Sequence, residues 1–291
     1  MIPVDASGRG LGLAAELHSM RRLVVLLAAG ASLLLVGTTG VWAASSHQAV
    51  LRSEQRTSFT HNQGVARVPG GWILSGTDRP LLLTDNLVRT DENLNIVAVN
   101  VPAIPPHLRA RGYDHIGDID VVGNTLYAAL EQPDYSRGRQ ITAWYNAKTL
   151  LFKGYVVLHQ NENSFVTVDP ATMTAYSMDN FDGNSLLRYD VKAGWKPLPP
   201  LHMSQTLHHT QGADTARGAI WISTSDPHND LYRVDIRSGK VELIGTHAHP
   251  GGEGEGIDAA ATPKGNLHAL ILDPSQRMVW FEHFDVINTG S

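Results

Sequence analysis

Beyond residue 44 the apolar residues come in short runs broken by Gly, Pro, Asn and Asp, and no stretch keeps a helical period. The clearest stretch lies after His209. Gly212–Thr215 reads as one strand and Arg217–Gly218 as a turn. Ala219–Thr224 is a nearly continuous apolar strand, and Asp230–Asp235 alternates apolar with polar. Ser238–Gly239 then turns into Lys240–Thr246. This predicts four consecutive antiparallel strands. Parts of the pattern recur. An apolar-polar-apolar-Asp ending followed by a turn returns at Leu187–Asp190 and Phe281–Asp285, with Ala143–Asn146 a looser copy. A large residue after a small turn returns at Trp72, Tyr127, Tyr176 and Trp221, with Leu267–His268 in that place last.

Five segments open these copies: His61–Ala66, His115–Asp120, Asn161–Val166, His209–Asp214 and Glu253–Asp258. Their starts lie 54, 46, 48 and 44 residues apart. Each has a polar residue first, a small or turn residue fourth and an apolar residue fifth. A period in the 40s containing strands is the signature of a β-propeller blade. A lone four-stranded sheet cannot bury both faces, whereas radial stacking buries them and leaves short edges. The fold class expected is all-β, a propeller of five blades. A sixth would need a blade hidden in the 54-residue interval or before His61, and neither has obvious room. The chain after Glu253 holds three strands, so residues 49–59 are expected to return as the fourth and close the ring.

Residues 23–44 carry no charge and follow Arg21 and Arg22, and Val41-Trp42-Ala43 ends on a small residue. This reads as a signal peptide, or as an uncleaved anchor, with Met1 or Met20 the true start. The expected organisation is therefore residues 1–44 as leader and signal or anchor, and 45–291 as a single exported propeller domain. The net charge of −5 and the lack of a basic patch exclude nucleic acid as a partner class. A membrane enters only through the anchor. With no cysteine, disulfides, thiolate metal sites and thiol nucleophiles are excluded. A small molecule is the expected ligand.

Inner strands of a propeller line its axis, so the first motif residues, His61, His115, Asn161, His209 and Glu253, are expected to form a ring. Imidazole suits zinc, and carboxylate and amide oxygens suit calcium, so a divalent cation of either kind is the expected cofactor. Alternate strand residues share a face, which adds Gln63, Asn163, Gln211 and Glu255 at the third position. Asp118, Asp120, Asp214 and Asp258 lie near the same strand starts, as further ligands or as supports of the histidines. The competing expectation is a polar, hydrated channel whose side chains only satisfy neighbouring backbone. His208, His228, His247 and His249 fall in connecting segments and read as surface residues, although His247-Ala-His249 is close enough to Glu253 to reach the channel mouth. Gly251–Gly256 is glycine-rich but precedes no helix, so it does not read as a phosphate cradle.

Two propeller families resemble parts of this pattern. Glu255-Gly256 or Glu253-Gly254 looks like the Glu-Gly pair that opens an inner strand in the gluconolactonase and senescence-marker lactonases. That resemblance implies an axial cation bound by the glutamate, with Asn161 or Asn163 as the amide ligand. Thr210-Gln-Gly212 and Gly254-Glu-Gly-Ile257, 44 residues apart, are similar to inner-strand openings of plant-type glutaminyl cyclases, and Leu231–Gly239 is similar to their third strand. This likeness covers about 60 residues and implies Glu255 as the proton-shuttling acid. The first expectation is thus a metal-assisted hydrolase of the lactonase type. In it Glu255 or Asp118 is the general base, His61, His115, Asn161, His209 and Glu253 are ligands, and Gln63, Asn163, Gln211, Asp214 and Asp258 line the substrate. The alternatives are a cyclotransferase using Glu255 and a non-catalytic binding propeller.

Overall fold

A computed structural model describes residues 46–77, 85–135, 139–179 and 181–290. The leader and signal or anchor expected over 1–44 lies outside the described residues. The described chain forms five four-stranded antiparallel sheets. Blade 1 is β2 (Val65–Val68), β3 (Gly71–Gly76), β4 (Asn86–Asp91) and β5 (Ile96–Asn100). A four-residue helix, α1 (Pro106–Arg109), leads to blade 2: β6 (His115–Val122), β7 (Thr125–Glu131), β8 (Ile141–Asn146) and β9 (Phe152–Val157). Blade 3 is β10 (Thr167–Asp169), β11 (Thr174–Ser177), β12 (Gly183–Asp190) and β13 (Lys196–Leu207). Blade 4 is β14 (Thr210–Ala216), β15 (Ala219–Thr224), β16 (Asp230–Asp235) and β17 (Val241–Thr246).

Blade 5 is β18 (Glu253–Asp258), β19 (Leu267–Asp273) and β20 (Met278–Asn288), completed by the N-terminal strand β1 (His47–Thr57). β1 pairs along β20 from His47 opposite Asn288 to Thr57 opposite Val279. The closure expected from residues 49–59 is therefore present, two residues earlier. The long first interval holds α1 and the connections around it instead of a sixth blade.

Second strands explain why the blades stack. Their residues alternate between the two neighbouring interfaces, and both faces are apolar because both are covered. Trp72 and Leu74 of β3 pack with Leu270, Val279 and Phe281 of blade 5. Ile73, between them, faces Ile116, Ala128 and Tyr145 of blade 2. Tyr127 and Ala129 face Val166, Ala175 and Tyr189 of blade 3. Ile220 and Ile222 face Phe165 and Tyr176, also of blade 3, and Trp221 faces Ile257 and Leu267 of blade 5. Five apolar clusters thus fill five interfaces. Each fully buried side chain contributes about 1.5–3 kcal/mol by removal from water.

Candidate functional site

The five blades meet at Asp118, in the fourth motif position of β6. Its Oδ1 accepts the backbone N–H of Val65 (3.2 Å) and of Ile119 (2.8 Å). Its Oδ2 accepts that of Ala213 (2.9 Å) and, at 3.4 Å, that of Ile257. These donors are the fifth motif residues of blades 1, 2, 4 and 5. Blade 3 completes the set, because Asp118 donates its own N–H to Ser164 O (2.8 Å). The same motif position is Gly212 in blade 4 and Gly256 in blade 5. A Cβ there would lie 2.8 Å from Asp118 Oδ2 and 2.5 Å from Asp118 Oδ1, respectively. One carboxylate fits on the axis because its counterparts in blades 4 and 5 carry no side chain. Burial pushes the Asp118 carboxyl well above the usual range, and the four donors act against that shift. The sequence pattern marks Asp118 as a base or near-ligand. The structure makes it the tie of the ring, with both oxygens taken by N–H donors.

Above this tie lies a cavity of about 680 Å³. Its walls carry the carboxylates of Glu131, Glu253 and Glu255, the amides of Asn62, Gln63 and Gln211, and His115 and Arg277. Phe59, Tyr135 and Phe181 supply apolar surface. Glu255 is 3% exposed. Burial first, then the charges of Glu253 and Asp118, hold its pKa well above the usual carboxylate range. Gln63 Nε2 faces Glu255 Oε1 at 3.4 Å, and Gly256 N–H donates to Gln63 O at 2.7 Å, joining blades 5 and 1. Gln211 Nε2 donates to Ser225 Oγ (2.9 Å).

Third-position residues reach this cavity because the inner strands are irregular there. The pairing register shifts between Thr210 and Gly212 and between Gly254 and Ile257. Such bulges re-aim side chains, here those of Gln211 and Glu255.

The expected ring of first-position residues is brought together only in part. His115 and Glu253 line the cavity. His61 precedes β2, is buried, and sets Nδ1 3.2 Å from Thr57 Oγ1; burial lowers its pKa. Asn161 lies six residues before β10, exposed, with its N–H on Asp179 Oδ1 (2.6 Å). His209 is exposed at φ 49° just before β14, with its N–H on Asp182 Oδ1 (2.8 Å). In blades 1, 3 and 4 the strand begins after the first motif residue, so strand alternation does not govern its direction. Asn163 is buried behind the wall. It donates to Ile141 O (2.7 Å), accepts from Ser177 Oγ (2.8 Å), and gives its N–H to Glu131 Oε1 (2.7 Å).

At the level of Asp118 an axial cation does not fit, because both carboxylate oxygens accept backbone N–H groups. Backbone N–H groups point at the axis at the level of Asp118, which suits an anion. Among the described residues, the ligand atoms of the cavity's His and Glu side chains are not gathered within 4.8 Å of one another.

Asp214 and Asp258 lie below Asp118, beside a smaller hollow of about 170 Å³ that Asp120 also lines. Each carboxylate ties its blade to the next. Asp120 accepts from Val168 N–H (2.6 Å), Asp214 from Ala259 N–H (2.7 Å) and Asp258 from Arg67 N–H (2.6 Å). Burial and their mutual repulsion raise the pKa of Asp120 well up and that of Asp258 to about 7; burial raises Asp214. Asp214 and Asp258 therefore sit at the opposite end of the inner strands from Glu255.

Several cavity residues carry no repeat signal. Glu131 is the last residue of β7, paired opposite His115, and Tyr135 Oη donates to its Oε2 (3.3 Å). Tyr135 and Phe181 rings meet edge-on at 6.0 Å. Arg277 lies over the Phe59 ring at 5.0 Å. The pairing of Glu131 with a motif residue at a strand end is the one available hint.

No protein-family model and no curated protein sequence matches the chain. Solved structures do. The glutaminyl cyclase of Myxococcus xanthus superposes with a TM-score of 0.57 at 12% identity, over 84% of this chain and 100% of its own. A luciferin-regenerating enzyme aligns at 0.48 and 10% identity, over 76% and 77%. Hydrazine synthase of Kuenenia stuttgartiensis aligns at 0.45 and 12%, over 81% and 65%. At 12% identity the likeness to the glutaminyl cyclase lies in the fold alone.

Proposed function

We propose that the upper cavity binds a small amine, such as a peptide N-terminus, and that Glu255 moves protons in an intramolecular aminolysis of the glutaminyl-cyclase type. The observation that carries this reading is Glu255 itself: a buried carboxyl of raised pKa, beside the carboxylates of Glu253 and Asp118, in the wall of a cavity with aromatic sides. Three wall carboxylates against one arginine favour a cationic or amine ligand. Gln63 and Gln211 offer amide groups of the kind that would hold a carboxamide.

In this reaction the substrate α-amine attacks the γ-carboxamide carbon of its own N-terminal glutamine. Ionised Glu255 takes the proton the amine nitrogen loses and returns it to the departing nitrogen. The carboxamide C–N bond breaks and ammonia leaves. One group can both accept and give the proton when its pKa lies near the working pH. Metal-assisted lactone hydrolysis has less support, since His61, Asn161 and His209 lie apart from Glu253. With residues 23–44 read as a signal or anchor, the reaction would take place outside the cytoplasm.

The test incubates the protein with a glutamine-initiated peptide and follows loss of ammonia by mass spectrometry. Turnover that falls at least a hundredfold in Glu255→Gln, with an unchanged circular dichroism spectrum, is the expected result. No turnover by the wild type would overturn the catalytic reading. Saturable binding of the peptide without turnover would make the propeller a receptor for the same ligand.

A further inference from the structure

A second cluster lies where the ring closes. Glu54 of β1 and Glu282 of β20 stand directly opposite each other in the antiparallel pairing. Like charges in that position repel, and Glu282 is fully buried. The connection between β17 and β18 brings two histidines to them. His247 Nδ1 is 2.7 Å from Glu282 Oε2, and His247 Nε2 is 2.9 Å from Ser223 Oγ. His249 Nε2 lies 2.8 Å from Glu54 Oε2 and 4.0 Å from Glu282 Oε1. The His249 ring is fixed by stacking on Trp280 at 4.4 Å and 11°. Arg56, the nearby cation, lies over the same Trp280 ring and makes no described ion pair with either glutamate.

We propose that Glu54, Glu282 and His249 bind one divalent cation of the zinc class and so clamp the closing strand β1 to blade 5. One ligand atom from each lies within 4.8 Å of the others. Zinc bonds to nitrogen and carboxylate oxygen are about 2.0–2.2 Å, so tetrahedral ligand atoms sit about 3.3 Å apart. The His249–Glu54 separation is already shorter than that, and a small inward movement of the exposed Glu54 side chain and His249 completes the set. One imidazole and two carboxylates suit zinc better than calcium, which takes six or more oxygens. Glu282 is already oriented as a ligand, because His247 holds one of its oxygens and Ala248 N–H donates to the other at 2.9 Å. Such outer hydrogen bonds fix ligating carboxylates. The cation would also neutralise the facing glutamates. His247, read from sequence as a surface residue, is buried as this support.

The test uses the full chain, purified without a histidine tag, stripped with chelator and titrated with Zn²⁺ by calorimetry. The variants are Glu54→Gln and His249→Gln, both at accessible positions, with His202→Gln as the control. The expected result is one equivalent bound by the wild type and by His202→Gln, with affinity at least tenfold weaker in the other two. Zn²⁺ should also raise the thermal midpoint of the wild type and leave that of Glu54→Gln unchanged. Absence of saturable binding in the wild type, or equal affinity in His249→Gln and wild type, would overturn the proposal.

Discussion

Replacing Asp118 by alanine removes the acceptor of four buried backbone N–H groups, those of Val65, Ile119, Ala213 and Ile257. Each buried donor left unpaired costs about 1–3 kcal/mol. The loss is then on the order of 4–12 kcal/mol, comparable with the roughly 5–15 kcal/mol that holds a typical domain folded. Asp118→Asn keeps one carbonyl oxygen and presents an amide NH₂ to the other two donors, so about 2–6 kcal/mol is expected from two lost bonds. Glycines at the neighbouring inner strands leave no room for a larger substitute. The assay is urea unfolding of the full chain followed by tryptophan fluorescence. The expected order of midpoints is wild type, then Asp118→Asn, then Asp118→Ala, with the alanine protein partly unfolded without denaturant. An Asn variant within 1 kcal/mol of wild type, roughly the least that a single unpaired donor costs, would refute the view that these amides depend on the carboxylate. It would reopen a role for Asp118 in the cavity above.

Other outcomes follow from the same structure. Asp258 is raised from the ordinary 3.8 to about 7 by burial and by Asp214, so its folded state holds a proton more tightly than the unfolded chain. Its contribution is complete below about pH 4 and disappears as pH rises through 7, on the order of 4 kcal/mol. Asp258→Asn should flatten the fall of the urea midpoint between pH 5 and pH 8, and an unchanged slope would contradict the assignment. Deleting residues 47–57 removes β1 and exposes the edge of β20 along its whole length. Loss of a cooperative thermal transition is expected, and a retained one would show that the ring closes without this strand. Glu253→Gln removes a charge that raises Glu255. The acid limb of any pH–rate profile controlled by Glu255 should move to lower pH, and a profile that stays in place would separate the two carboxyls.

The blades were legible in the sequence because their chemistry is local. Turn residues and alternating apolar positions mark Ala219–Thr224 and Asp230–Asp235 without reference to the rest of the chain, and both became strands with those limits. Closure by the segment before His61 followed from a missing fourth strand. Third-position residues Gln63, Gln211 and Glu255 were legible as cavity residues. First-position residues Asn161 and His209 were not, because β10 and β14 begin after them and His209 adopts a left-handed backbone. Glu131, Phe181 and Arg277 stand at strand ends and loops with no repeated position, so no spacing could announce them.

What the sequence determined by itself is the repeat: short strands that must bury both faces, and hence a closed ring of blades. What only the tertiary structure decided is the use of the charged residues. Gln63 and Glu255 are 192 positions apart, and Asp118 and Ile257 are 139 apart. They meet because five inner strands converge on one axis. Whether a carboxylate there faces a cavity, as Glu255 does, or a cage of N–H groups, as Asp118 does, depends on its place in the bulged turn of the inner strand, third or fourth, and on two glycines that make room at the axis. The apolar pattern that closes the ring is the same in either case.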